Sequence, residues 1–241
     1  MLQVCLNGAR DRSACPSLPV TAEELAGSAR AAVAAGARDI HLHPKNTSGE
    51  DTLESAVVAE ALTAVRAAVP GIPVGVTTGA WATPDPEQRA AQVRSWTVLP
   101  DHASVNWHEP GASLVAAALL SRGIGVEAGV WSGTDAVRHL LDWPERHRVL
   151  RILAEVTDTG TRTAPHTAAA LVDELRPADS PVLLHGEDGG AWPVLRLAAL
   201  RGLDMRVGLE DVLHLPDGTP AEANADLVLA ARVIRQASQP R

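Results

Sequence analysis

The residues best suited to chemistry lie early in the chain, in Arg38-Asp39-Ile40-His41-Leu42-His43-Pro44. This stretch reads as a short buried strand ending in two histidines two residues apart. Side chains alternate faces along a strand, so His41 and His43 converge on one side while Leu42 turns to the other. Two neutral imidazoles at that spacing make a half-site for a divalent metal, above all zinc, completed by a ligand from elsewhere. The plainer alternative is a pair of ordinary histidines at a strand end.

The best completing ligand stands near the other end of the chain. Arg206-Val207-Gly208-Leu209-Glu210-Asp211 places Arg206, Gly208 and Glu210 on one strand face, with Glu210 at its end. Two histidines and one glutamate leave a coordination position open for substrate, as in catalytic zinc sites. For Arg206 the structural alternative is a core ion pair with Asp211 or Glu155.

Elements that could hold these groups together follow from the alternation of short β-branched apolar runs with alanine- and leucine-rich amphipathic stretches. Strands are predicted at 2–6, 38–43, 73–77, 102–106, 125–130, 148–156, 181–185 and 204–209. Helices are predicted near 21–35, 53–69, 85–96, from 112 to before Gly123, before Asp142 and Pro144, from Pro165, through Leu200, and over 223–236. Thr21 with Glu24 forms a capping box at the first helix. Eight βα units of about 30 residues each make the count of a single (β/α)8 TIM barrel spanning residues 1–241. A doubly wound sheet could use the same units, but no Gly-x-Gly-x-x-Gly follows the first strand and nothing resembles a P-loop.

Barrel active sites form at the C-terminal ends of the strands, and those ends are unusually polar here. They carry Asn7, His41 and His43, Thr77 and Thr78, Ser104, Asn106, His108 and Glu109, Glu127, Glu155 and Asp158, His185 and Glu187, and Arg206, Glu210 and Asp211. Loops are polar in general, but Glu155 and His185 interrupt or end runs that should be buried. A buried carboxylate is costly unless paired or bound to metal. His108 and His185 read equally well as loop residues or substrate contacts. Trp81, Trp107, Trp131 and Trp192 follow strand ends too, where they fit an aromatic-walled mouth or a subunit interface.

Composition narrows the function classes. With 46% hydrophobic and 21% charged residues the chain is of the soluble globular kind. A net charge of -8 argues against nucleic-acid or anionic-membrane partners. Two cysteines, no signal-type leader and no span of about 20 apolar residues lead to the expectation of a cytoplasmic protein. Lys45, the sole lysine, lies past a proline outside strand 2, which disfavours a Schiff-base aldolase.

The chain resembles the β-keto acid cleavage enzyme family, whose founding activity is 3-keto-5-aminohexanoate cleavage. The likeness runs in order through Asn7-Gly8-Ala9, Leu18 to Thr21, Ala35 to His43, Thr77-Thr78-Gly79, Ala103 to Asn106, Arg206 to Asp211, and Glu222-Ala223-Asn224. It implies a zinc-dependent TIM barrel that transfers the acyl part of a β-keto acid to CoA, using acetyl-CoA and releasing acetoacetate. It also implies a homo-oligomer, dimer or tetramer. By the same resemblance His41, His43 and Glu210 are the zinc ligands, and Arg206 and Asp211 the catalytic pair. Thr77 and Ser104 match substrate-contacting hydroxyl positions, and Lys45 matches an arginine near the entrance. Thr78, Asn106, Glu127 and Glu155 complete the expected substrate-binding set. Arg10 stands where many relatives carry glutamate, and Gly129 where they carry a strand-5 glutamate, with Glu127 close by. The segments 155–158 and 185–190 replace glycine-rich family segments. The runner-up is a metal-dependent hydrolase or C–C lyase on the same barrel. The non-enzymatic alternative is a zinc-keeping relative that binds a ligand without turning it over.

Overall fold

The computed structural model describes residues 1–238. Eight parallel strands close into a barrel in sequence order: β1 (Leu2–Cys5), β2 (Asp39–Leu42), β3 (Val74–Thr77), β4 (His102–Asn106), β5 (Gly125–Trp131), β6 (Arg151–Val156), β7 (Val182–Gly186) and β8 (Asp204–Val207). A helix follows each: α1 (Ala22–Ala35), α2 (Ser55–Ala68), α3 (Pro86–Ser95), α4 (Ala112–Ser121), α5 (Ala136–Asp142), α6 (Ala164–Glu174), α7 (Asp188–Leu200) and α8 (Asn224–Ser238). This is the (β/α)8 barrel that the alternating pattern predicts. Among the described residues no helix is long and apolar enough to cross a membrane.

Local chemistry sets the boundaries. Thr21 caps α1 in the expected box, its hydroxyl accepting from Glu24 N while Glu24 accepts from Thr21 N. Asp85 caps α3 ahead of Pro86. β6 starts three residues later than its apolar run suggests, because Arg146–Arg148 form a 3₁₀ turn. β8 stops at Val207 rather than Leu209. A side chain at Gly208 would collide with the Cys5 backbone, and Asp211 N and Val212 N both donate to the Gly208 carbonyl, closing a turn. Glu210 therefore sits on a turn, swung over the barrel mouth.

The strands divide sharply by face. Outward residues such as Val4, Ile40, Leu42, Val74, Val76, Val126, Ile152, Leu184 and Val207 are buried with the helices in one apolar core. Inward residues share register across neighbouring strands: Gln3 with Asp39, Cys5 with His41, Gly75 with His102, Ser104 with Glu127, Glu127 with Arg151, and Glu155 with His185. Barrel interiors are ordinarily filled by branched apolar side chains. Much of this one is polar, with Cys5, Leu153, Leu183 and Trp131 among the apolar exceptions.

Candidate metal and acid–base site

His41 is the penultimate residue of β2 and His43 lies one residue beyond the strand, both inward and both almost fully buried. Glu210 reaches them from the β8 turn. Its Oε2 lies 3.9 Å from His41 Nε2 and its Oε1 3.6 Å from His43 Nε2. One donor atom from each of the three lies within 4.8 Å of the others. Burial pulls His41 down to about 4, so it is a neutral imidazole with a lone pair to offer. Burial opposes a charge on Glu210 too, but Arg206 and the two histidines hold its carboxyl well below the usual range. Glu210 Oε2 is buried with no hydrogen-bond partner. Two nitrogens, one carboxylate and an unpaired ligand oxygen fit a catalytic zinc.

His43 is held from behind. Its Nδ1 lies 2.6 Å from Asp51 Oδ2, and Asp51 in turn accepts from Lys45 Nζ at 2.5 Å and from Trp81 Nε1 at 2.8 Å. Trp81 also stacks on the His43 ring, with centroids 5.8 Å apart. Burial lowers the His43 pKa, but Glu210 and Asp51 outweigh it and raise it to about 9 without metal. A metal at Nε2 must displace that proton. Lys45 thus anchors the carboxylate that contacts His43.

Arg206 lies beside the triad, donating from Nε and Nη2 to Asp211 and from Nη2 to Glu210. A row of ionisable groups continues from Asp211 toward solvent. His185 Nδ1 is 3.3 Å from Asp211 Oδ1, and its Nε2 is 3.5 Å from Glu155 Oε2. Burial and Arg206 lower the His185 pKa, yet Asp211 and Glu155 raise it to about 9 overall. Burial, then the hydrogen bond with Glu155, pushes half-buried Glu187 up to about 8. Arg10 turns away to Asp188 and the Glu210 carbonyl.

The other expected residues divide. Thr77 and Ser104 share register on the inner faces of β3 and β4, and the Thr77 hydroxyl accepts from Gly79 N. Thr78 turns sideways, donating to the Ser104 carbonyl, and Asn106 donates to Glu109. Among the four strand-end tryptophans, Trp81 touches a triad residue. Trp107 tilts against Trp143, Trp131 against His108, and Trp192 donates to the His214 carbonyl.

Glu127, expected among the substrate contacts, is fully buried and bonded to neighbouring barrel residues. It belongs to a polar floor beneath the triad that sequence reasoning missed. Arg151 donates from Nε to Glu127 Oε1 at 2.6 Å and from Nη2 to Asp39 Oδ2 at 2.9 Å. Gln3 Nε2 donates to both carboxylates. His102 lies across Gly75, where a side chain would strike its ring. Its Nε2 is 3.0 Å from Asp39 and its Nδ1 3.1 Å from Glu127. Burial opposes charge on His102, but Glu127 and Asp39 raise it to about 10. Asp39, His102 and Glu127 also hold donor atoms within 4.8 Å of one another. However, Arg151 and the imidazolium already neutralise both carboxylates, so a divalent cation there would face two positive charges.

The signal for this floor is parity. Gln3, Asp39, His102, Glu127 and Arg151 occupy the same strand face as the site residues, within otherwise apolar runs. For Asp51, in the loop beyond β2, no comparable signal exists.

The profile of a family described as beta-keto acid cleavage enzyme matches residues 1–150 and 143–240. The 3-keto-5-aminohexanoate cleavage enzyme of Fusobacterium nucleatum is 25% identical over 240 residues, covering 93% of this chain and 85% of the relative. The enzyme of the same name from Acetoanaerobium sticklandii is 23% identical over 245 residues, covering 93% and 86%. Among solved structures, apo ObcA superposes with a TM-score of 0.74 at 16% identity, over 90% of this chain and 61% of that one. A ternary complex of ObcA with a C4-CoA adduct and oxalate gives 0.70 at 16% identity, over 90% and 63%. The chain spans about three-fifths of the ObcA length, and this second likeness is one of fold.

Proposed function

The chain belongs to the beta-keto acid cleavage enzyme family, and from that premise we propose that it breaks the C2–C3 bond of a β-keto acid at a zinc ion held by His41, His43 and Glu210. The acyl part passes to the CoA of acetyl-CoA, giving acyl-CoA and acetoacetate. The observation that carries this reading is the convergence of two imidazole Nε2 atoms and a carboxylate beside the Arg206–Asp211 pair. When bound, the metal supplies Lewis acidity for the keto and carboxylate oxygens of the substrate.

The chain's own residues do the rest. A C2 carbanion, formed by loss of a C2 proton, displaces CoA thiolate from the acetyl carbon. The thiolate then adds to C3, and breaking the C2–C3 bond releases acyl-CoA and leaves the electron pair on C2 of acetoacetate, which takes a proton back. Asp211 is the group placed to hold that proton, and Arg206 fixes it with three N–H···O contacts. Thr77 and Ser104 offer hydroxyls on the inner wall for orienting the substrate. Lys45 and Asp51 act through His43, and Glu155 acts through His185. The ObcA complex with a C4-CoA adduct supports a CoA thioester as the second partner.

The test is metal content together with product analysis on a panel of β-keto acids and acetyl-CoA. The reading predicts about one zinc per chain, with acyl-CoA and acetoacetate formed in equal amounts. Arg206→Ala should abolish turnover and keep zinc, whereas Glu210→Ala should lose zinc. Equal metal loss in both variants contradicts this division of roles.

A further inference from the structure

His43 has a carboxylate behind its ring in hydrogen-bond contact; His41 has one close by but not yet engaged. His41 Nδ1 is buried and has no hydrogen-bond partner. The facing acid is Glu127, whose Oε2 lies 3.9 Å from that nitrogen and 3.1 Å from His102 Nδ1 on its other side. Its other oxygen, Oε1, is fixed by Arg151 Nε at 2.6 Å and by Gln3 Nε2 at 2.9 Å. The carboxylate is therefore held by Arg151, Gln3 and His102, and its Oε2 also faces the His41 ring. Both groups are at most 1% exposed, so neither atom can turn to bulk water.

A buried imidazole nitrogen left without a partner in a dry interior is costly. A metal at His41 Nε2 supplies the missing condition. A neutral imidazole that coordinates through Nε2 carries its hydrogen on Nδ1, and metal-bound histidines commonly donate that hydrogen to a carboxylate or carbonyl. Glu127 Oε2 is the carboxylate oxygen in reach. We propose that Glu127 is a positioning residue for the metal centre, closing on His41 Nδ1–H when the ion binds, with Arg151 and Gln3 as its anchor. The polar floor is thereby mechanically joined to the site above it. This rests on the reading of His41 as a metal ligand.

The experiment is zinc affinity, measured on apo protein by competition with a chromophoric chelator, in the wild type, Glu127→Gln and Asp39→Asn. Glu127→Gln keeps the volume but removes the charged acceptor, and should weaken zinc about 10- to 100-fold. Asp39→Asn damages the same floor and reaches Glu127 only through His102 and Gln3, so it should lower the melting temperature yet leave affinity within about threefold of wild type. Nitrogen-15 spectra of the zinc-loaded wild type should show His41 bound through Nε2, with a slowly exchanging Nδ1–H that shifts in Glu127→Gln. Equal affinity in Glu127→Gln and wild type overturns the proposal, as does coordination through His41 Nδ1. Equal weakening by both variants also overturns it, since that would mark general floor damage. Failure of the wild type to bind zinc would instead remove the functional reading on which the proposal stands.

Discussion

Two clusters inside this barrel offer the same kinds of donor atoms at the same closeness, and they differ in what surrounds them. At the mouth, His41, His43 and Glu210 leave Glu210 Oε2 without a hydrogen-bond partner and keep one imidazole neutral. On the floor, Asp39, His102 and Glu127 are matched by Arg151 and Gln3 until two negative charges meet two positive ones. Donor geometry alone thus fails to distinguish a metal site from a structural ion-pair box. Charge balance does. The mouth keeps a neutral imidazole with a lone pair to offer, whereas the floor holds both of its carboxylates between two cations.

The sharpest way to break this comparison is to delete a ligand. Glu210→Ala should take zinc content from about one per chain to none and abolish turnover, while the fold persists by circular dichroism. Next in size is the loss of a floor cation. Arg151→Met strands two buried carboxylates and should cost about 3–5 kcal/mol of stability, seen as a lower denaturation midpoint. In the fraction that folds, zinc binding should persist.

A smaller effect is expected behind His43. Asp51→Asn retains the shape but weakens the acceptor of its Nδ1–H, and should lower zinc affinity about 10-fold in chelator competition. An undiminished affinity would show that the short Asp51 contact does not orient the ligand.

The mildest prediction concerns pH. His102 is raised from 6.5 to about 10 in the folded state. Its stabilising contribution is therefore complete below pH 6.5 and is lost as pH rises toward 10. His43 and His185, each raised to about 9, act with the same sign, and His41, lowered to about 4, acts oppositely below pH 6.5. Apo protein should melt at progressively lower temperature from pH 7 to 10, with a shallower slope in His102→Gln. Each kcal/mol lost corresponds to about 2–4 °C at this chain length. A flat melting curve across that window would mean that His102 is not held as an imidazolium.

Much of the fold is legible because two periodicities coexist in the sequence. Helices show as alanine- and leucine-rich amphipathic runs, and each strand has an apolar outward set. The site is legible where inward polar residues sit at strand ends, as with His41, His43 and Arg206. It is harder to see where the same parity carries polar residues at strand beginnings. Gln3, Asp39, His102 and Arg151 lie in the first halves of the predicted strands, and the register places them beneath the site. Glu127 reads as a substrate contact because only the three-dimensional layer separates mouth from floor. The turn that lifts Glu210 depends on Gly208 pressing against Cys5, a contact between the two ends of the chain that no local pattern carries.

The most direct measurement is zinc content by elemental analysis in wild type, Glu210→Ala and His102→Gln purified side by side. One equivalent in the wild type, none in Glu210→Ala and one in His102→Gln would establish that the mouth holds the metal and the floor does not. Two equivalents in the wild type, or one retained in Glu210→Ala, would contradict the assignment of the site by charge balance.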